Sequence, residues 1–281
     1  GVAVSVALLT PTGGATGITV AFAAGTLLAA QTETFTSTAA RMNNADLLVA
    51  LEALRVSSLP FETILVAGPL DSTMAATIAA WRLLRDAEGR YSSWASNWRP
   101  ADAGETEAAY LIAIVAALGN SADTFGMVHG GSFDCASPLT GLLLRRDAAL
   151  AAVTRSMSIP LGVMASRVSD GPLVGVSIKD DRGNPKYHDE AQSPGFDAAR
   201  FAVLRSFDGY PGAYLNLPRL FSAPGSDYVF FPHARVMNRA CKIAKDLLTQ
   251  RLSAGVRKDE KGHILEVDAQ EIDQLITETL M

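Results

Sequence analysis

Short apolar runs alternate with amphipathic stretches through the middle of the chain. From Asn44 to Val56, Leu47, Leu48, Leu51 and Leu54 recur at helical spacing behind a capping Asn43 or Asn44. Phe61 to Ala67 (FETILVA) is a compact apolar run with the length of a buried strand. Asp71 or Ser72 then caps a helix whose Met74, Ile78 and Trp81 share one face, with Gly89 closing it. Glu105 to Leu118 reads as a further helix stopped by Gly119, and Thr124 to Val128 as a strand. Ser137-Pro138 has the cap-then-first-turn chemistry of a third helix running to about Arg155, and Ile159 to Val163 suits another strand. Strands alternating with helices of this length predict crossover units and a helix-covered, largely parallel or mixed sheet, an α/β core.

The ends of the chain have a different texture. Residues 2 to 40 carry Val, Thr, Phe and Ala without helical periodicity around a glycine-rich turn, which predicts strands and a hairpin. Beyond Asp170, Gly-Pro, Pro-Gly and Asn-Pro pairs punctuate a looped region before two final helices. The first runs from about Arg235 to Ser253 with Val236, Ala240, Ile243, Leu247 and Leu248 inward. The second opens at Asp268-Ala269-Gln270-Glu271, a capping-box spacing, and Gly255 to Val267 between them predicts a hairpin turned at Lys261-Gly262. The expected organisation is a β-rich segment 1–40, an α/β core 41–170 and a looped α+β part 171–281.

Composition narrows the function classes. The 281 residues are 48% hydrophobic, enough for a large buried core, and the net charge of −5 supplies no basic stripe for nucleic acid. Cys135 and Cys241 are too few for a disulfide framework and read as ordinary thiols. The first charged residue is Glu33, yet Pro11, Gly13, Gly14 and Gly17 break the apolar run before it could span a membrane. An uncharged start of that kind suits burial against a partner. Beginning with Gly and stopping at Leu280-Met281 straight after a helical pattern, the chain reads as a piece of a longer protein.

Two loops resemble enzyme motifs. Thr12 to Gly17 has the spelling of a dinucleotide-binding turn, as in an NAD(P)-dependent oxidoreductase. That chemistry needs a helix to start at the third glycine, but Ile18-Thr19-Val20 is β-branched and begins a helix poorly. None of the tyrosines has lysine four residues on. His129-Gly130-Gly131 resembles the oxyanion loop of a hydrolase. Its downstream partner would be a Gly-x-Ser-x-Gly elbow, and Gly175-Val176-Ser177-Ile178-Lys179 lacks the closing glycine. No histidine pair has zinc spacing, and the His188-Asp189-Glu190 cluster and Lys179-to-Glu190 charge run read as solvated. The residues thus give no catalytic, cofactor or metal assignment.

A longer ordered set does match a family. Arg167-Val168-Ser169-Asp170-Gly171-Pro172-Leu173 is followed by Tyr187-His188-Asp189-Glu190 and Pro194-Gly195-Phe196-Asp197-Ala198-Ala199-Arg200-Phe201. Leu204-Arg205-Ser206, Gly212-Ala213-Tyr214, Gly225-Ser226-Asp227-Tyr228 and Arg235-Val236-Met237-Asn238-Arg239-Ala240 continue it. In order and spacing these resemble the C-terminal half of contractile bacteriophage tail sheath proteins, the branch that includes Mu-like phages and prophages. Gly14-Ala15-Thr16-Gly17-Ile18-Thr19, the Ala45-Asp46-Leu47-Leu48 helix and Arg145-Arg146 extend it loosely towards the start. The tryptophan-rich Tyr91 to Trp98 stands where the family pattern suggests a plainer strand. The resemblance implies a non-enzymatic structural subunit of a virion tail, assembled in the host cytoplasm with no cofactor. It implies other sheath subunits, the tail tube, the baseplate and the tail terminator as partners, with no direct nucleic-acid contact and no membrane insertion. It leaves a sheath terminator as a neighbouring possibility. The acidic final helix, with Asp268, Glu271, Asp273 and Glu278, is the expected tube or subunit contact, since exposed charge reads a complementary surface.

Overall fold

The computed structural model describes residues 5–9, 15–21, 42–102, 104–178, 195–207, 209–250 and 257–280. It divides into two units, 1–40 and 41–281. In the first, β1 (Ser5–Leu9) pairs antiparallel with β2 (Ala15–Ala21), from Ser5 opposite Ala21 to Leu9 opposite Ala15.

The second unit is built on a parallel sheet of β3 (Thr63–Pro69), β4 (Ser93–Asn97) and β5 (Gly126–His129), in that spatial order. Side chains alternate across it, as the strand period of two requires. Ile64, Val66, Trp94, Trp98 and Val128 join the side chains of α1 (Asn44–Val56), α2 (Ser72–Ala87) and α3 (Glu107–Leu118) in one core. Ala95 and Met127 enter a second core with α4 (Ala148–Met157) and the start of α5 (Phe231–Gln250). Helices therefore cover both faces, and the α/β expectation holds. Caps set the helix starts: Asn43 and Asp46 form a capping box, and Asp71 and Thr106 accept from Met74 N and Ala109 N.

Beyond β5 the sheet is continued by an isolated parallel bridge, His129 to Ala202, in which Ala202 N donates to Val128 O and Gly130 N to Ala202 O, at 3.0 and 2.9 Å. Arg200 leads into this bridge with φ of 69°. Its guanidinium, stacked over Phe221, bonds the carbonyls of Ser222 and Gly119 and holds that unfavourable backbone in place. An antiparallel pair, β8 (Leu204–Phe207) and β9 (Tyr210–Leu215), follows.

The tryptophan-rich fourth strand has a specific use. Trp94 lies across Gly126 on the next strand, where an added Cβ would stand 2.3 Å from the ring. Its indole N–H donates to Asp123 at 2.7 Å, and Asp123 also accepts from Arg82 Nε at 2.8 Å and from Phe125 N at 3.2 Å. Arg82 in turn pairs with Asp86 on its own helix.

Some boundaries differ from the sequence reading. Ser137-Pro138 turns a hairpin between β6 (Ser132–Ala136) and β7 (Leu143–Asp147), and α4 begins only at Ala148. The Ser137 hydroxyl does accept a local N–H, from Thr140, but Gly141, whose N–H bonds Ser137 O, ends the turn at φ +68° where a helix would need αR backbone. Ile159 to Val163 forms turns, with Val163 N bonded to Pro160 O, because Pro160 cannot donate to a ladder. The helix expected from Arg235 starts at Phe231; Pro232 fits there because first-turn N–H groups have no helical acceptor. The last helix, α6, spans Glu266–Leu280.

Replacing Asp123 by Ala leaves Arg82 Nε and the Trp94 indole N–H without these acceptors in the core, with Asp86 as the remaining partner of Arg82. The expected loss is about 3–5 kcal/mol, read as a fall in Cm at unchanged m-value in urea unfolding.

Candidate functional site

The C-terminal ends of the parallel strands, where α/β folds most often bind ligands, converge on Asn97, His129 and the Gly130-Gly131 loop. Both N–H groups of the loop are already engaged. Gly130 N donates to Ala202 O, and Gly131 N to the Tyr110 hydroxyl at 2.8 Å. That hydroxyl donates to Arg99 O at 2.6 Å. The Asn97 amide donates to the carbonyls of Trp98 and Gly131 and accepts from Ala149 N. An oxyanion hole needs loop N–H groups free to meet developing charge, and here both are spent within the fold.

Tyr110 lies in the first turn of the most apolar helix, tilted against Trp98 and Phe196. Burial, the dominant cause, raises its pKa above the ordinary phenol value, and the bond from Gly131 N opposes that only in part. It is a neutral clasp between α3 and the end of β5. A lone tyrosine on an apolar helix face was its only trace in the sequence.

His129 is fully buried, and neither ring nitrogen has a hydrogen-bond partner among the described residues. Desolvation pushes its pKa down to about 3, so the ring is neutral at any ordinary pH. No nucleophile serves it. Ser177 pairs through its backbone with Asp134, and the Tyr214 hydroxyl donates to Pro211 O. Neither Ser177 nor Tyr214 hydrogen-bonds the His129 ring.

The first glycine motif has an equally structural setting. Gly17 is the third residue of β2, which continues to Ala21, so a strand stands where a pyrophosphate-binding helix would have to begin. Residues 10–14 lie outside the described residues, as do His188-Asp189-Glu190 and the rest of the Lys179-to-Glu190 run. Cys135 and Cys241 are half-buried and unpaired. Cys135 borders a shallow groove of about 300 Å³ lined mainly by Phe133, Leu150, Ala151, Leu173 and Val176. Among the described residues no group of three His, Cys, Asp or Glu side chains could hold a metal, and no helix is long and apolar enough to cross a membrane.

Asp268, Glu271, Asp273 and Glu278 of the final helix do not form one face. Asp268 is turned inward and held by Arg257, whose Nη2 lies 2.5 Å from Oδ1 and whose backbone N donates to Oδ2 at 2.8 Å. The Arg257 hydrogen bonds hold its carboxyl below the usual range. At 100° per residue, Glu271 and Glu278 fall on one flank of the half-buried Ile272, Leu275 and Ile276 seam, and Asp273 falls with Glu266 on the other. Glu271, Asp273 and Glu278 are exposed.

The His129 shift makes stability pH-dependent. The folded pKa lies below the ordinary 6.5, so the unfolded chain binds more protons between the two values. The stability is fully present above about pH 6.5 and is lost as pH falls towards 3, at up to about 1.4 kcal/mol per pH unit. Between pH 7 and 4.5, urea unfolding of H129F should lose about 2–3 kcal/mol less than that of the unsubstituted chain.

Comparison with known proteins places this architecture. The sheath tail protein from Desulfitobacterium hafniense superimposes with a TM-score of 0.54 at 13% identity, over 95% of this chain and 61% of that one. A chain of the anti-feeding prophage baseplate matches at 0.48 and 13% identity, over 84% of this chain and 56% of the other. The contracted sheath complex of an extracellular contractile injection system, PVC, matches at 0.47 and 13%, over 75% and 59%. The chain thus spans less than two thirds of the length of each of these structures. No curated protein sequence matches it. Its fold is tail sheath-like. The model of the DUF2586 N-terminal domain matches residues 4–216, three quarters of the sequence, and the chain belongs to the DUF2586 family.

Proposed function

We propose that the chain is a structural subunit of a contractile phage or prophage tail sheath. It polymerises helically around the tail tube and contracts to drive the tube into the host. The observation that carries this reading is the fold shared with a sheath tail protein across 95% of the chain. The spent N–H groups of the Gly130-Gly131 loop and the strand at Gly17 support a non-enzymatic role. The body from 41 onward moves as a rigid element, because its sheet is sealed by two cores. The uncharged opening segment faces partners, and contacts that repeat head to tail without closing extend a filament. Energy for contraction comes from better subunit contacts after release of a kinetic trap, with no nucleotide consumed. The protein then resides in the virion tail, with the tube, baseplate and terminator as its other neighbours.

On this reading α6 is the tube or subunit contact, presented by Glu271, Asp273 and Glu278, with Asp268 positioning the helix through Arg257. Exposed carboxylates steer a basic partner and are screened by salt.

Electron microscopy of the complete gene product should show helical tubes, whereas saturable micromolar NAD(H) binding by the chain overturns the reading. The D273K/E278K double substitution should cut co-sedimentation with the assembled partner at least tenfold. Its stability should change by no more than about 0.5 kcal/mol at each exposed site, read by thermal unfolding.

A further inference from the structure

Only the first turns of α5 are buried. Phe231, Pro232, Ala234, Arg235 and Asn238 root it in the body, and Arg235 Nη1 donates at 2.5 Å to Ser156 O near the end of α4. No residue of α5 beyond Asn238 is buried. There Arg239, Lys242 and Lys245 recur every third residue, which at 100° per residue puts them on one arc of about 120°. Lys245 Nζ reaches a carbonyl, Glu88 O at 3.5 Å, and the Glu88 carboxylate is held by Arg55. None of the three cations has a carboxylate partner among the described residues, and Asp246 is the only acidic side chain on α5. The last helix has the opposite composition: α6 carries Glu266, Asp268, Glu271, Asp273 and Glu278 and no basic residue. Asp268 is held by Arg257, but Glu266 and Asp273, exposed on one flank, have no cationic partner among the described residues. Although α5 and α6 pack against each other, each copy therefore keeps a basic face and an acidic flank unmatched.

The two sets match in sign and in length. Arg239 and Lys245 stand about 9 Å apart along their helix axis, and Glu266 and Asp273 about 10.5 Å apart along theirs. One exposed ion pair is weak, but facing rows of opposite charge fix orientation and register and reject like-charged neighbours. Two unlike patches on one chain also meet the condition for a head-to-tail contact. A patch on one copy joins a different patch on the next, and the series does not close. We propose that the Glu266 and Asp273 flank of α6 docks on the Arg239, Lys242 and Lys245 face of α5 in a second copy of this chain. This docking rests on the reading of α6 as the tube or subunit contact and makes a copy of the same chain its partner.

Sedimentation velocity of the whole chain at high protein concentration and about 50 mM salt should show self-association that weakens at least tenfold in about 500 mM salt. R239E/K242E and E266K/D273K should each weaken it at least tenfold at low salt. An equimolar mixture of the two variants should restore it, because each then offers the charge that the other requires. All four side chains are exposed, so thermal unfolding of each variant should shift by only a few degrees. A chain that stays monomeric at low salt, or a loss that mixing does not repair, overturns the proposal. Repair only when all four substitutions share one chain places the pairing within a copy and overturns it as well. The sheath reading is separable: helical tubes of the complete gene product that survive E266K/D273K refute this contact alone, whereas an unsubstituted product that forms no tubes refutes the sheath reading.

Discussion

A carboxylate removed from water is tolerated only when its lone pairs are occupied, and Asp123 meets that condition with three donors drawn from three parts of the chain. Arg82 comes from α2, the Trp94 indole from β4 and the Phe125 amide from the residue before β5. The ion pair fixes α2 against the sheet, and the indole bond sets the orientation of the most deeply buried of the three core tryptophans. That ring then requires glycine at 126, since the neighbouring strand passes directly beneath it. Burying the pair adds little net stability, while losing one partner is expensive. The arrangement therefore acts as a specification of register between strands, with the hydrophobic cores on either side supplying the driving force.

The helices of the middle region were legible because their signals are local. Asn43, Asp71 and Thr106 cap where short polar side chains can meet free N–H groups, and the leucines of α1 keep helical spacing whatever they pack against. Ser137-Pro138 misled for a related reason, since a serine that accepts a nearby N–H serves a turn as well as a helix start. Only the long-range pairing of β6 with β7 decided between them. Arg82, Asp123 and Trp94 lie far apart in sequence, and nothing in their spacing announces that they meet. The same is true of Tyr110 and Gly131. The exposed acids of α6 were readable, but Asp268 was not separable from them, because its partner Arg257 belongs to the preceding turn.

The two glycine motifs show why a short match carries so little. Both segments contain glycines at spacings that suit ligand-binding turns, and in both the described glycines belong to the backbone framework. Gly17 sits inside a strand, while Gly130 and Gly131 give their N–H groups to Ala202 and Tyr110. What separates a binding loop from a structural one is the destination of its backbone donors. That destination is set by chain segments remote in sequence: residue 202 for one glycine and residue 110 for the other.

The side chains that root α5 deepest in the body belong to its first two turns, and α6 follows from its far end. Mechanically this is a beam clamped at its root and propped part-way along, where Lys245 meets Glu88 O. A force applied at the tip of such an arm is carried by these two supports. A small rotation there becomes a displacement of several ångströms at the end of a twenty-residue helix, which extends 1.5 Å per residue. The stiffness of the whole arm is therefore governed by the atoms around Arg235 and by the contact of Lys245 with Glu88 O, about three turns further along.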